Sequence, residues 1–364
     1  MTAPRVSVVV VTWNGLELLQ RFLPSVLATD YPDLEVVLAD NASADGTAAW
    51  AAEHAPGVRV VEHAENMLFA EGNNAAVPHA TGELLLFLNN DVEVPPGWLW
   101  PLVRALEADP RVAAVQPKLL QHGDRSRFEY AGGAGGFVDA HGFPFTRGRL
   151  FDTLERDAGQ YDAPRDVVWA TGAALLVRRE AFAAAGGFDA SFGMHMEEID
   201  LCWRLWRRGW RVRAEPRSEA YHLGGASLPR GPRKTYLNHR NSLLMLRKNL
   251  PAAAGRRALR ARRALDAVAA ARALASGARG DAQAIRRAWT DARARIPTIP
   301  PAPGGEPAPP LYRGSVVADY FLRRRRQFSD LPADRFDTIT APSETSTSAI
   351  PTTPSADGTS PNSP

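Results

Sequence analysis

Four short apolar runs recur in the first 90 residues with helix-spaced stretches between them, and this alternation constrains the fold more than any other feature. The runs are VSVVVV at 6–11, LEVVLA at 34–39, VRVV at 58–61 and ELLLFL at 83–88. The first reads as a central parallel strand and the fourth as one covered on both faces, with the second and third as further strands. Between them, Leu16, Leu19, Phe22, Leu23, Val26 and Leu27 recur at helical intervals over 15–29. A short helix is predicted at 46–54 and another from Asn73 to His79. Strands alternating with helices build βαβ units, so the fold class is α/β: a Rossmann-like, mainly parallel sheet flanked by helices. Ligands of such sheets bind at the carboxyl ends of the strands.

Those ends are unusually polar. The first run finishes in Thr12-Trp13-Asn14-Gly15, the second in Asp40-Asn41-Ala42-Ser43-Ala44-Asp45-Gly46, the fourth in Asn89-Asn90-Asp91. Small polar residues also favour turns and helix caps, which is the plainer explanation for any one cluster. Three clusters on one sheet edge, two of them acidic, favour a ligand site. Oxygen donors such as Asp40, Asp45, Asn89 and Asp91 suit Mg²⁺ or Mn²⁺, which usually share their shell with a phosphate-bearing ligand. No GxxxxGK[ST] loop is present, and GGAGG at 132–136 reads as a mobile loop.

The remainder of the chain divides by composition. VVWATGAALLV at 167–177 reads as a buried strand pair or one strand bent at Gly172. Residues 186–212 read as a loop, a helix and the start of a strand, the helix opening with Glu197-Glu198 and closing with Arg207-Arg208-Gly209. Acids at its start and bases at its end complement the helix dipole, so a pure helix-start role competes with chemistry for those acids. Residues 252–295 hold eleven arginines against three aspartates, one or two helices with a thin apolar stripe. The expected divisions are a main domain at 1–250, an Arg/Ala-rich helical extension at 251–296, a Pro-rich linker at 297–310, a short basic segment at 311–337 and a disordered tail at 338–364.

With 364 residues, 45% of them hydrophobic, the chain has ample material for a large core, and its net charge of +3 makes no global case for nucleic acid. Trp289 is the one aromatic within 252–295, too few for a stacking platform. The single cysteine, Cys202, permits no intrachain disulfide and fits a reducing compartment. The N-terminal apolar run ends at Val11, too short for a signal peptide, and no apolar stretch reaches a membrane-spanning length. The expected location is cytoplasmic.

Several stretches together carry a resemblance. VSVVVVTWNG, DNASADGT, ENMLFAEGNNAAVPHATGELLLFLNND, TGAALLVRREAF, GGFDASFGMHMEEIDLCWRLWRRG and YHLGGAS occur in the order found in family 2 inverting glycosyltransferases of the GT-A fold, and resemble most its rhamnosyltransferase-like branch. The resemblance implies that Thr12, Asn14, Asp40, Asn41 and Ser43 hold the nucleobase and ribose of a nucleotide-sugar donor. It places Asn66, Gly72, Asn73 and Asn74 at a GGNN-like turn near the sugar, with Glu71 replacing the first glycine. Asn89-Asn90-Asp91 matches the DxD-type motif with its first Asp changed to Asn, leaving Asp91 as the metal-touching carboxylate and His222 as a further ligand of Mg²⁺ or Mn²⁺. The general base falls on Glu198, where most members carry Asp, with Glu197 and Asp200 as alternatives. Lys234, Arg233 and Arg240 are candidates for phosphate contacts or plain surface.

The implied activity is inverting transfer of a sugar, from dTDP-rhamnose or a UDP-sugar, to a hydroxyl of a glycan or lipid-linked acceptor in cell-wall or surface polysaccharide synthesis. The alternative is a non-catalytic nucleotide-sugar-binding module of the same fold. A lipid-linked acceptor would give the arginines of 252–295 a use as a peripheral contact with the inner face of the cell membrane.

Overall fold

The computed structural model describes residues 3–224 and 231–337. The expected tail at 338–364 and the last three residues of YHLGGAS lie outside the described residues. The first half runs β1 (Val6–Thr12), α1 (Leu16–Leu27), β2 (Leu34–Asp40), α2 (Thr47–His54), β3 (Val58–Glu62), α3 (Leu68–Ala76), β4 (Leu84–Asn89), β5 (Val92–Glu93), α4 (Leu99–Ala108) and β6 (Val112–Gln121). A small sheet follows, of β7 (Gly136–Val138), β8 (Pro144–Thr146), β9 (Arg149–Leu150) and β10 (Thr153–Leu154). The chain then rejoins the main sheet with β11 (Arg165–Asp166), β12 (Ala174–Arg178), α5 (Arg179–Ala184), α6 (Glu197–Arg207) and β13 (Arg211–His222). Helices α7 (Pro232–Asn249), α8 (Ala252–Ala275), α9 (Arg279–Arg295) and α10 (Val316–Phe321) complete it.

The main sheet has nine strands in the order β11-β13-β6-β12-β4-β1-β2-β3, with β5 pairing β13. Strands β1 to β4 pair in parallel, as do β6 and β13, while β12 runs antiparallel to both β4 and β6. The sheet is thus mixed but mainly parallel, with helices on its faces. The apolar runs of β1 and β4 are covered on both sides, with Val8, Val9, Leu85, Leu86 and Phe87 all buried, whereas edge strand β3 leaves Arg59 exposed.

Three local expectations are corrected. Helix α3 starts at Leu68, where Asn66 Oδ1 accepts the Leu68 N–H at 2.9 Å, and gives way at Val77 to a 3-10 turn ending at His79 that holds Pro78. Gly72, Asn73 and Asn74 are therefore helical and not a turn. Of 167–177, only the part from Ala174 onward is strand; Val167–Ala170 are buried but lie outside it, separated by a turn at Gly172 and Ala173. GGAGG is not a mobile loop: Gly132–Gly136 are buried, and their backbone exchanges bonds with Leu119, Arg147 and Trp169. A Cβ on Gly135 would meet Val167 at 2.6 Å, so close packing explains the glycines.

The C-terminal third docks onto the rest. Helix α7 packs against α6, α8 and α9. In α8, the buried Arg262 donates to Asp266 at 2.9 Å and lies 3.9 Å over the Phe143 ring. Residues 297–310 run between α9 and α10, with an isolated bridge from Ala302 to Pro251. Residues 311–337 bury Tyr312, Val316, Tyr320, Phe328 and Phe336; Phe328 and Phe336 pack on Phe137 of the small sheet and Tyr312 on its Phe145.

Candidate active site

The parallel register sets Thr12 beside Asp40 and Val11 beside Asn89, so three polar strand ends share one edge. The loops after β1 and β2 are knitted together. The Asn14 N–H donates to Ser43 Oγ at 2.8 Å, and Ala44 N–H to Asn14 Oδ1 at 2.8 Å. Asp40 accepts from both the N–H and the hydroxyl of Ser43. Asn90 Nδ2 donates to Thr12 Oγ1 at 2.9 Å, joining the β4 end to the same cluster. Asn14 and Ala42 both have left-handed backbone, φ 48° and 56°, a strained arrangement of the kind that concentrates at functional sites. A cavity of about 570 Å³ opens beside Asn14, Gly15, Ala44 and Asp45.

The four oxygen donors read together from sequence do not form one shell. Asp45 is consumed by helix starts, accepting from Leu16 N at 3.0 Å and from Thr47, while Asp40 is occupied by Ser43. Asn73 Nδ2 donates to Phe69 O within its own helix. Asn74 makes a two-way link to Phe188, 2.7 and 3.0 Å, and so ties α3 to the loop before α6. Asn41 Nδ2 donates to Leu68 O at 3.0 Å, whereas its buried Oδ1 lacks a partner. A Cβ on Gly72 would lie 2.9 Å from that oxygen, so Gly72 is where α3 can approach the β2 end.

A second cavity, of about 510 Å³, gathers most of the candidate catalytic and metal-ligating residues. Asn89, Asp91, Glu129, Thr171, His195, Glu197, Glu198, His222 and Lys234 are among its lining residues. On one wall the buried His222 Nε2 stands 3.0 Å from Asp91 Oδ1, and Glu129 Oε1 lies 3.4 Å from His222 Nδ1. Pairing of β13 with β5 brings His222, 131 residues away in sequence, against the β4 end. Burial alone would push His222 down, but Glu129 and Asp91 outweigh it and carry it up to about 10. Burial works to raise the Asp91 carboxyl; the His222 charge and hydrogen bond win and hold it below the usual carboxylate range. Asn89 Nδ2 sits 3.4 Å from His222 Nε2.

On the other wall stand the acids of α6. Burial raises the Glu198 carboxyl to about 7, and Glu198 Oε2 has no partner among the described residues. Burial, then the neighbouring Glu198, pushes the buried Glu197 well above the ordinary range, and its Oε2 is also unpartnered. Asp200 is placed differently. It is fully buried away from the cavity and accepts from Arg204 at 2.8 Å, Lys248 at 2.9 Å and Asn249 at 2.7 Å. It anchors α6 to α7 and leaves the two glutamates to face the cavity.

The turn into α6 is strained: His195 and Met196 have φ 68° and 75°. Asn241 of α7, wholly buried, holds that turn by donating to the carbonyls of Phe192, Met194 and His195 at 3.0, 2.9 and 2.7 Å. Arg240 reinforces it, donating to Asn241 Oδ1 and Phe192 O, while Lys234 does reach the cavity. Sequence reasoning missed Asn241, Glu129 and His195. Nothing local marks Glu129 or Asn241, which with Ser242 merely precedes the apolar run Leu243–Leu246.

Asp91 and His222 suit a hard divalent ion in part. Each would offer such an ion one donor, Asp91 through its carboxylate and His222 through a deprotonated Nε2, and the two stand together at the β4 end. No group of three or more His, Cys, Asp or Glu side chains is poised for a metal among the described residues. The donor set therefore fits an ion that takes its other ligands from a phosphate and water.

Comparison with known proteins agrees with this geometry. The model for glycosyl transferase family 2 matches residues 7–182. The N-acetylglucosaminyl-diphospho-decaprenol L-rhamnosyltransferase of Mycobacterium tuberculosis is 33% identical over 253 residues, 65% of this chain and 81% of that protein. The O-antigen biosynthesis protein RfbC of Myxococcus xanthus is 34% identical over 62% of this chain and 18% of its own length. Among solved structures, GalNAc-T7 with UDP, GalNAc and Mn²⁺ superposes with a TM-score of 0.52 at 18% identity, over 68% of this chain and 48% of that one. The chain belongs to glycosyltransferase family 2 and carries the GT-A fold.

Proposed function

We propose that this glycosyltransferase moves a sugar from a nucleotide-diphosphate donor, dTDP-rhamnose or a UDP-sugar, to a hydroxyl of a glycan or lipid-linked acceptor with inversion, in the building of cell-wall or surface polysaccharide. The observation that carries the reading is Glu198: a carboxylate whose Oε2 has no partner among the described residues and whose pKa burial raises to about 7, in the same cavity as the Asp91–His222 pair. The relative from M. tuberculosis, named for rhamnosyl transfer to a lipid diphosphate, supports the donor and acceptor classes.

In the reading, Thr12, Asn14, Asp40, Asn41 and Ser43 form the nucleoside end of the donor site, with Asn66 and Gly72 beside them. Asp91 and His222 would hold a divalent ion, Mg²⁺ or Mn²⁺, which supplies charge to neutralise the leaving diphosphate. His222 must give up its Nε2 proton to do so. Glu198 removes the proton of the attacking hydroxyl while that oxygen bonds to the anomeric carbon and the donor's C–O bond breaks. A base poised near neutrality suits that step. Glu197, held protonated beside it, avoids two like charges in one dry site.

The test combines a nucleotide-sugar panel, Mg²⁺ or Mn²⁺, and the variants Asp91→Ala and Glu198→Gln. Turnover by the native chain that both variants lose supports the assignment; turnover intact in both refutes it. Donor binding without turnover on any acceptor would return the protein to a non-catalytic binding module.

A further inference from the structure

The most exposed large apolar side chain among the described residues is not near the active-site acids. It is Leu322, 81% exposed at the end of α10, next to Phe321 at 38%. Four consecutive arginines, Arg323–Arg326, follow it. Asp319 takes Arg323 and Arg325 at 3.2 and 2.6 Å, and Arg326 lies 4.1 Å over the Tyr320 ring. Arg324 has left-handed backbone, φ 58°, and no acid partner among the described residues. Helix α8 adds to the patch. Arg272 lies 4.8 Å over the Phe321 ring, and Val268, one turn earlier on the same helix face, is 67% exposed.

An exposed apolar tip ringed by arginines is costly in water unless something covers it. Its charge is complementary to an anionic surface, and its apolar residues can enter the headgroup region while arginines contact phosphates. Its position links it to the active site. Phe151, in the turn of the β9–β10 hairpin, packs on Tyr320 and Phe321 at 4.9 and 5.1 Å, and Thr153 Oγ1 lies 2.9 Å from Tyr320 Oη. The next residue, Leu154, lines the cavity that holds Glu198. One short hairpin therefore separates the patch from the cavity wall.

We infer that Phe321, Leu322 and Arg323–Arg326, with Val268 and Arg272 of α8, form a docking surface for an anionic lipid bilayer, which brings the cavity to acceptors embedded in that bilayer. The use of such acceptors rests on the proposed transfer activity; the docking itself does not. This places the contact at α10 and one face of α8 and not along the whole of 252–295.

The test is co-sedimentation of the full chain with vesicles of phosphatidylcholine alone or with added phosphatidylglycerol. Binding is expected to the anionic vesicles only, weakening as salt rises. Arg324→Gln is expected to cost about fivefold in affinity, and Leu322→Gln a further loss that salt does not mask. Both positions are exposed, so thermal unfolding of the variants should match the parent. Arg286→Gln, exposed on α9, is the charge-matched control for Arg324→Gln and should leave binding near the parent's. Binding to no vesicle, an equal loss in the α9 control, or no loss in the Leu322 and Arg324 variants would overturn the inference. Transfer to a soluble acceptor should survive in the Leu322 and Arg324 variants; its absence from the native chain too would count against the enzymatic reading and leave the docking result standing.

Discussion

Glu198 lies in the first turn of α6, two residues after Met196, a non-glycine residue with positive φ. Its raised pKa gives two predictions. Transfer should fall as pH drops through about 7, because the carboxyl is then protonated and no longer a base; a pH–rate profile with a single acid limb checks this, and Glu198→Gln should lower kcat by roughly 10²–10⁴ across it. The same shift costs stability. The folded carboxyl binds its proton more tightly than the unfolded one, so the penalty is absent below about pH 4 and complete above about pH 7. Glu198→Gln should therefore stabilise the fold by on the order of 2 kcal/mol at pH 8 and have little effect at pH 4, as read by denaturant unfolding. Loss of activity with a gain in stability separates a functional acid from a helix-start residue, whose removal would destabilise.

The elements position these residues from outside the motifs. Asn241 on α7 holds the carbonyls of the turn before α6, and Asp200 is locked by Arg204, Lys248 and Asn249. Asn241→Ala should leave those carbonyls without that donor, costing about 1–3 kcal/mol, and lower kcat more than it raises donor KM, because only the acids move. Unchanged kinetics would show that the turn holds itself. Much of this level was legible in the sequence. Unbroken runs such as ELLLFL marked both-face burial, and polar strand ends marked the edge where the two cavities open. What escaped was long-range: the oxygens of Asp45 go to helix starts, Asn74 goes to Phe188, and Glu129 reaches His222 only through the pairing of β6 with β13. GGAGG looked like a loop because close packing of backbone leaves the same glycine signature as freedom.

At the scale of the whole molecule, the Pro-rich stretch does not separate the last segment from the rest. Phe328 packs on Phe137, Tyr161 and Phe336 at 5.3, 5.7 and 5.4 Å. Phe328→Ala should cost about 3–5 kcal/mol in global unfolding, whereas an independent tail would show no effect. The segment thereby braces the small sheet, whose hairpin wall belongs to the active-site cavity. No described helix is long and apolar enough to cross a membrane. The most direct test of the central claim is the anomeric configuration of the product made from dTDP-rhamnose or a UDP-sugar by the native chain and by Glu198→Gln, with Mg²⁺ or Mn²⁺. The account predicts product of inverted configuration from the native chain and almost none from the variant. Retained configuration, or equal turnover by the variant, would contradict it.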